Sequence, residues 1–355
     1  SGEGNTAVGL NALGNNTTAN ANVAVGRNCL ISNTTGTNLV AMGAYALDAN
    51  TTANDNTAIG YNALTGNTTG SNNTAIGKEA LLANTTGSTN TAVGAIALDA
   101  NTTGSENVAI GYGALTAHTS PEDCVAVGRG ALRQGTSGSN NTAVGAFALD
   151  LVSSSNNTAV GQQSIRNCTS GDANTACGAQ TLNSCSTGSS NTAVGRQALT
   201  AVTTGSSNTA MGFEAGGAIT TGGNNLCLGK RAGRSDSPSG NITTVNNKIC
   251  LGDNNITDIF CADTSISASD SRDKTDITSF NIGLDWIKAL RPVTYRWDRR
   301  TWYGTDAEPF GTPNGSKKRQ RLHIGFLAQE ALEVEKANGY GSSNDDSLVV
   351  NLTDD

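Results

Sequence analysis

The sequence predicts an all-β repeat shaft of stacked parallel β-layers, trimeric and 17 residues per repeat, followed by a small α+β C-terminal domain. Three observations lead there. A motif close to N-T-A-V-G-x-x-A-L recurs at fixed spacing. Only 4% of residues are aromatic and 14% charged while Gly alone numbers 43, so few large side chains are available for an ordinary core. The chain then changes texture near residue 269.

The repeat comes first, because self-similarity at a fixed period is the signature of stacked architectures. Its Gly falls at 9, 26, 43, 60, 77, 94, 111, 128 and 145, always 17 residues apart. One 16-residue step reaches Gly161, and Gly178, Gly195, Gly212 and Gly229 restore the period, making fourteen copies. Two places before each Gly stands Ala, with Cys227 as the one substitute, which marks a crowded interior position. The residue just before Gly is always apolar, and Leu or Ile follows at the fourth place after it in the first twelve copies; both are expected to be the layer's hydrophobic contacts. Asn fills the fourth place before Gly in twelve copies, where stacked amides can form ladders. Stretches such as ANTTGSTN between copies are turn-forming loops, so each copy reads as strand, corner, return and loop.

A superperiod of 51 is visible in G-A-x-A-L-D at Gly43, Gly94 and Gly145, and in Arg27, Lys78 and Arg129 after their glycines. It records either duplication of a three-copy unit, which is favoured, or a solenoid turn of three copies. One thin layer buries little alone, so three chains are expected to pack side by side as a homotrimer. The copies resemble, at greater length, the Asn/Ala/Gly repeats in the heads of trimeric autotransporter adhesins and similar stretches in viral fibres.

The formal net charge of −7 argues against nucleic acid as a partner, and no apolar run suits membrane insertion. The first residues, SGEGN, contain neither an initiator Met nor a signal peptide, so the chain reads as a fragment. Eight Cys are too sparse for a disulfide scaffold, and no C-x-x-C pair suggests zinc or redox chemistry, so no cofactor or metal is implied. Free thiols are expected; Cys168 and Cys185, at equivalent repeat positions, come closest to disulfide reach, although reduced packing is favoured.

The shaft is assigned to residues 1–234 and a neck with short strands to 235–268. Residues 269–355 carry all three Trp and twelve of the 22 Lys and Arg, as a globular domain would. Phe280, Leu284, Ile287 and Leu290 recur at helical spacing before Pro292; Val293, Tyr295 and Trp297 alternate as in a half-buried strand; HIGFL leads into the helical AQEALEVEKA. The class of this part is α+β.

SDSRDK, then a helix, LRPVTYRW and HIGFLAQE together resemble the C-terminal intramolecular chaperone domain of phage tail spikes and fibres. The resemblance implies a trimeric domain that promotes folding of the β-rich region before it. It also implies self-release by a cut between Ala268 and Ser269. Ser269 becomes the nucleophile and Lys274 the base, with Asp270 and Arg272 in orienting or ion-pairing roles, and His323, Gln329 and Glu330 either tuning the site or serving structure. A Ser hydroxyl needs such a base, and Lys can serve if burial or neighbouring cations lower its pKa. Domains of this kind continue into a long helix, whereas this chain stops at Asp355, so part of the trimerising element is expected to be missing.

The resulting expectation is a virion attachment fibre that meets a host-surface receptor or glycan, with single-turnover autoproteolysis and no action on an external substrate. The alternatives are a cellular trimeric adhesin at the cell surface and a polysaccharide depolymerase spike. The depolymerase reading needs paired carboxylates, and Asp48, Asp99 and Asp150 stand three layers apart, which suits surface solvation better. The KKRQR run at 317–321 reads as a solvated loop tip, and the N-T-T sequons as turn chemistry.

Overall fold

The structure is a computed structural model that describes residues 2–258, 289–296, 312, 314–317, 320, 323–325 and 327–337. The chain divides into two units, Ser1–Phe260 and Cys261–Asp355.

The first unit is a parallel β-solenoid. Fifteen strands of three residues, from β1 (Thr6–Val8) to β15 (Ile249–Leu251), form one parallel sheet in sequence order. Each strand pairs in register with the next, Thr on Thr and Ala on Ala, as in Thr74↔Thr91 and Ala75↔Ala92. At about 4.8 Å per strand the stack runs roughly 67 Å. The coil is one 17-residue copy, which excludes the three-copy turn and leaves the 51-residue superperiod as a pattern on the surface. No return strand is formed within a coil; left-handed residues bring the chain round. In the coil after Gly77 these are Glu79, Leu81 and Thr89, with φ of 59°, 51° and 60°.

The spacing is strict because turns and strands alike bond to the neighbouring coil. Leu81 N–H donates to Ala97 C=O at 3.0 Å and Thr85 N–H to Thr102 C=O at 2.8 Å, as Thr74 N–H does to Asn90 C=O in the strand. The repeat glycine closes the coil. Gly111 has φ +131°, and a Cβ there would lie 2.6 Å from the carbonyl oxygen of Gly128, so only Gly lets adjacent coils approach.

Each coil encloses its own core, contrary to the expectation that one thin layer buries little alone. Ala75, Ala80, Leu81, Asn84 and Asn90 are all fully buried, and their equivalents repeat along the stack. Burying one Leu per coil contributes roughly 2 kcal/mol. The Asn side chains replace a larger apolar interior by satisfying backbone. Asn73 Oδ1 accepts from Asn90 N–H at 3.0 Å, while Asn90 Nδ2 donates to Gly104 C=O at 2.9 Å. A second ladder runs through Asn33, Asn50, Asn67, Asn84 and Asn101, each amide donating to the one before it at 2.8–3.1 Å.

The apolar residue before each Gly is not a layer contact. Strand side chains alternate, so with Ala inward its neighbours point out. Val8 is 59% exposed, and Met42, Ile59, Ile76, Ile110 and Val160 are exposed at the same position, forming an apolar column along the sheet. Asp150 also departs from expectation: it is fully buried rather than solvated. Cys168 and Cys185 stack in consecutive coils with Sγ atoms 2.7 Å apart, and both are free thiols.

In the second unit, β16 (Val293–Tyr295) and β17 (His323–Gly325) form an antiparallel pair, and helix α1 (Ala328–Ala337) follows. Val293 and Tyr295 are half-buried and Thr294 exposed, as alternation requires. The helix predicted before Pro292 lies outside the described residues apart from its end at 289–290.

Candidate functional site

Ala268, Ser269, Asp270, Arg272 and Lys274 lie outside the described residues. The other three site candidates do not. His323 opens β17 opposite Tyr295, so the LRPVTYRW and HIGFLAQE segments meet through Tyr295↔His323, Thr294↔Ile324 and Val293↔Gly325. Gln329 is exposed in the first turn of α1. Glu330, in the same turn, takes a two-pronged ion pair from Arg291, whose Nε donates to Oε2 at 3.0 Å and whose Nη2 donates to Oε1. That hydrogen bond holds the Glu330 carboxyl below its ordinary range. A carboxylate near a helix N-terminus is also favoured by the helix dipole. Glu330 therefore stays ionised at neutral pH and clamps α1 to the residues that lead into β16. It is poorly suited to donate a proton. Arg296 makes a second tie, its Nε donating to Gln320 C=O at 2.9 Å.

On the solenoid the structure brings together residues that the sequence left scattered. The Arg129 guanidinium stands 4.7 Å from the Phe147 ring centre in the next coil, and Arg133 and Arg166 approach the same ring at 5.1 and 5.7 Å. Beneath them Asp150 pairs with Arg133 at 3.1 Å and with Arg166 at 3.4 Å. Two coils hold one buried carboxylate between them, which fixes both guanidinium groups. Arg27 stands 4.8 Å over Tyr45 and donates to its hydroxyl, and Tyr45 meets Tyr61 edge-on with ring centres 6.3 Å apart. Arg196 lies 5.7 Å from Phe213. The signal for this column was present in the sequence: the variable place of G-A-x-A-L-D holds Tyr45, Ile96 and Phe147, one coil beyond Arg27, Lys78 and Arg129.

Among the described residues no cluster of three or more His, Cys, Asp and Glu could hold a metal ion, and no helix is long and apolar enough to cross a membrane.

A family model described as chaperone of endosialidase, a peptidase family, matches residues 269–340. The matched segment corresponds to a C-terminal intramolecular chaperone domain, and in the chain it follows the β-solenoid. Comparison with curated proteins and with solved structures returns no match.

Proposed function

We propose that the chain is part of a homotrimeric virion tail fibre or spike that attaches to a host surface, and that its last domain is an assembly chaperone that cuts itself off between Ala268 and Ser269. The observation that carries this reading is where the family match begins: at Ser269, beyond the last strand of the solenoid. In the proposed reaction Lys274, neutral, takes the Ser269 hydroxyl proton as Oγ attacks the Ala268 carbonyl carbon. The C–N bond breaks as Lys274 passes that proton to the departing nitrogen, leaving an Ala268 ester on Ser269 Oγ and a free Ser269 amine. Water then hydrolyses the ester to an Ala268 carboxylate and the restored hydroxyl. Asp270 and Arg272 are assigned to orienting this segment, and His323 and Gln329 to its surroundings. A five-residue extended span is too long for Ser269 and Lys274 to touch, so the segment must fold back or be completed by a neighbouring chain. Cutting would then report assembly.

The apolar column on the strand face supports the homotrimer. It is uncharged and recurs along the sheet, and a row of exposed apolar side chains on one face suits an interaction surface. Since each coil already has its core, the column is free to face other chains.

The test is intact mass and sedimentation of freshly expressed protein beside Ser269→Ala and Lys274→Ala. Fragments meeting at Ala268/Ser269 in the parent, with both variants whole, are expected. An assembled trimer that stays uncut would defeat the self-cleavage. Ile59→Glu with Ile76→Glu should give folded single chains, and a trimer that survives both would defeat the assigned interface.

A further inference from the structure

We propose that one edge of the solenoid is a linear binding site for an acidic polysaccharide lying along the shaft, formed by cations and aromatic rings that recur every three coils; this deepens the host-attachment reading and rests on it. Arg27, Lys78 and Arg129 occupy one position of the coil, and Tyr61 and Tyr112 occupy the same position in coils between them. Equivalent groups are therefore about 14 Å apart along the stack. Tyr61 and Tyr112 are 49% and 62% exposed, the latter among the most exposed large side chains of the unit. An aromatic ring left in water on a rigid scaffold presents a face on which the apolar side of a sugar ring can stack.

The charge is concentrated where the rings are. Around Phe147 three guanidinium groups face one carboxylate, Asp150, in a chain whose formal net charge is −7. Asp150 is buried, so it orients Arg133 and Arg166 from below and is withheld from solvent. Guanidinium donors not used by Asp150 are suited to a sugar carboxylate, which they can grip in a planar, two-pronged fashion. Arg27 with Tyr45 and Tyr61 makes a second such unit six coils away. Lys78 between them is weaker, since Glu79 sits 3.5 Å from its ammonium.

A polymer with regularly repeated carboxylates can engage both strong units at once, whereas a small anion occupies one; the gain is one of effective concentration. The column also suits the outside of a trimer. Identical positions meet around a threefold axis, so cations placed at the axis would repel, while the uncharged Val and Ile column would not.

The experiment uses the assembled trimer and immobilised polygalacturonate, hyaluronan and alginate, each as short fragments and as long chains. Neutral dextran, polyphosphate and single-stranded oligothymidine serve as comparisons. Expected is binding to at least one of the acidic polysaccharides, at least about tenfold tighter for long chains than for fragments. It should weaken with salt and fall about fivefold or more in Arg129→Gln, Arg166→Gln and Tyr112→Ala trimers of unchanged size, the loss of one charge-assisted contact or stacking ring. An intact trimer that binds none of the three overturns the proposal. So does equal binding of dextran, or binding of polyphosphate or oligothymidine as tight as that of the best acidic polysaccharide. A parent chain that never forms a trimer counts instead against the fibre reading.

Discussion

His118 fits inside the solenoid because Gly135 stands beside it in the next coil: a Cβ at position 135 would lie 2.7 Å from His118 Cε1. The imidazole takes the next place after Asn101 in the ladder that runs through Asn33, Asn50, Asn67 and Asn84, fully buried, with neither ring nitrogen in a hydrogen bond. Burial pushes its pKa down from 6.5 to about 4, and backbone at Ser137 and Leu132 opposes this only partly. Between those values the unfolded chain binds more protons than the folded one. Stability is therefore full above about pH 6.5 and falls by about 3 kcal/mol as pH drops towards 4. His118→Asn should flatten that slope, measured as the difference in unfolding midpoint between pH 7 and pH 4.5. Asp48 and Asp99, whose carboxyls burial raises, act with the opposite sign in both proteins and cancel in the comparison.

Gly111→Ala should open the stack locally. The new methyl would meet the carbonyl of Gly128 at 2.6 Å on a backbone with φ +131°, a combination of clash and strain expected to cost about 3 kcal/mol. Limited proteolysis should then cut near residue 111 in the variant and leave the parent untouched there.

Asn67→Ala interrupts a ladder in which the Asn67 amide donates to Asn50 Oδ1 at 3.1 Å and to Gly70 C=O at 2.9 Å. Asn50 Oδ1 would remain buried without a donor and Asn84 Nδ2 would lose one of its two acceptors, while Gly70 C=O keeps its bond from Asn56 Nδ2 at 2.8 Å, so the cost is about 1–2 kcal/mol. Amide hydrogen exchange should quicken in the flanking coils more than at the ends of the shaft.

Thiol reactivity should separate Cys177 from the others. It is exposed, whereas Cys29, Cys124, Cys168, Cys185, Cys227 and Cys250 are buried. Burial holds the Cys29 and Cys227 thiols up at about 11 and about 12. In a Cys261→Ser background, a thiol reagent at pH 8 should label one site per folded chain and the rest only after denaturation.

The coil length, the buried Ala and Leu and the Asn ladder four places before the repeat Gly were legible in the sequence because stacking forces the same residue type onto the same place in every copy. Direction was harder. Val, Ile and Leu are equally apolar, and their opposite fates, outward for Ile76 and inward for Leu81, depend on a strand of three residues followed by left-handed turns that hydrophobicity alone does not reveal. The second ladder was missed because its positions pass from Asn101 to His118, Gly135, Val152 and Cys168, and lose their uniform identity. In the C-terminal unit the strand at Val293–Tyr295 was legible from its alternation and α1 from its helical composition, whereas the pairing with His323–Gly325 and the Arg291–Glu330 clamp join residues far apart and carry no periodic signal.

The single 16-residue copy shows what the stack tolerates. Strands β9 (Thr142–Val144) and β10 (Thr158–Val160) remain in register across the missing residue, and hydrogen bonds from 136–137 to Ser153 change their offset from 17 to 16 within the loop. The shaft therefore behaves as a graduated ruler. Recombination between copies can lengthen or shorten it by whole coils, each about 4.8 Å, without redesigning any contact. The distance spanned by the shaft is in that sense an inherited quantity that changes in counted steps.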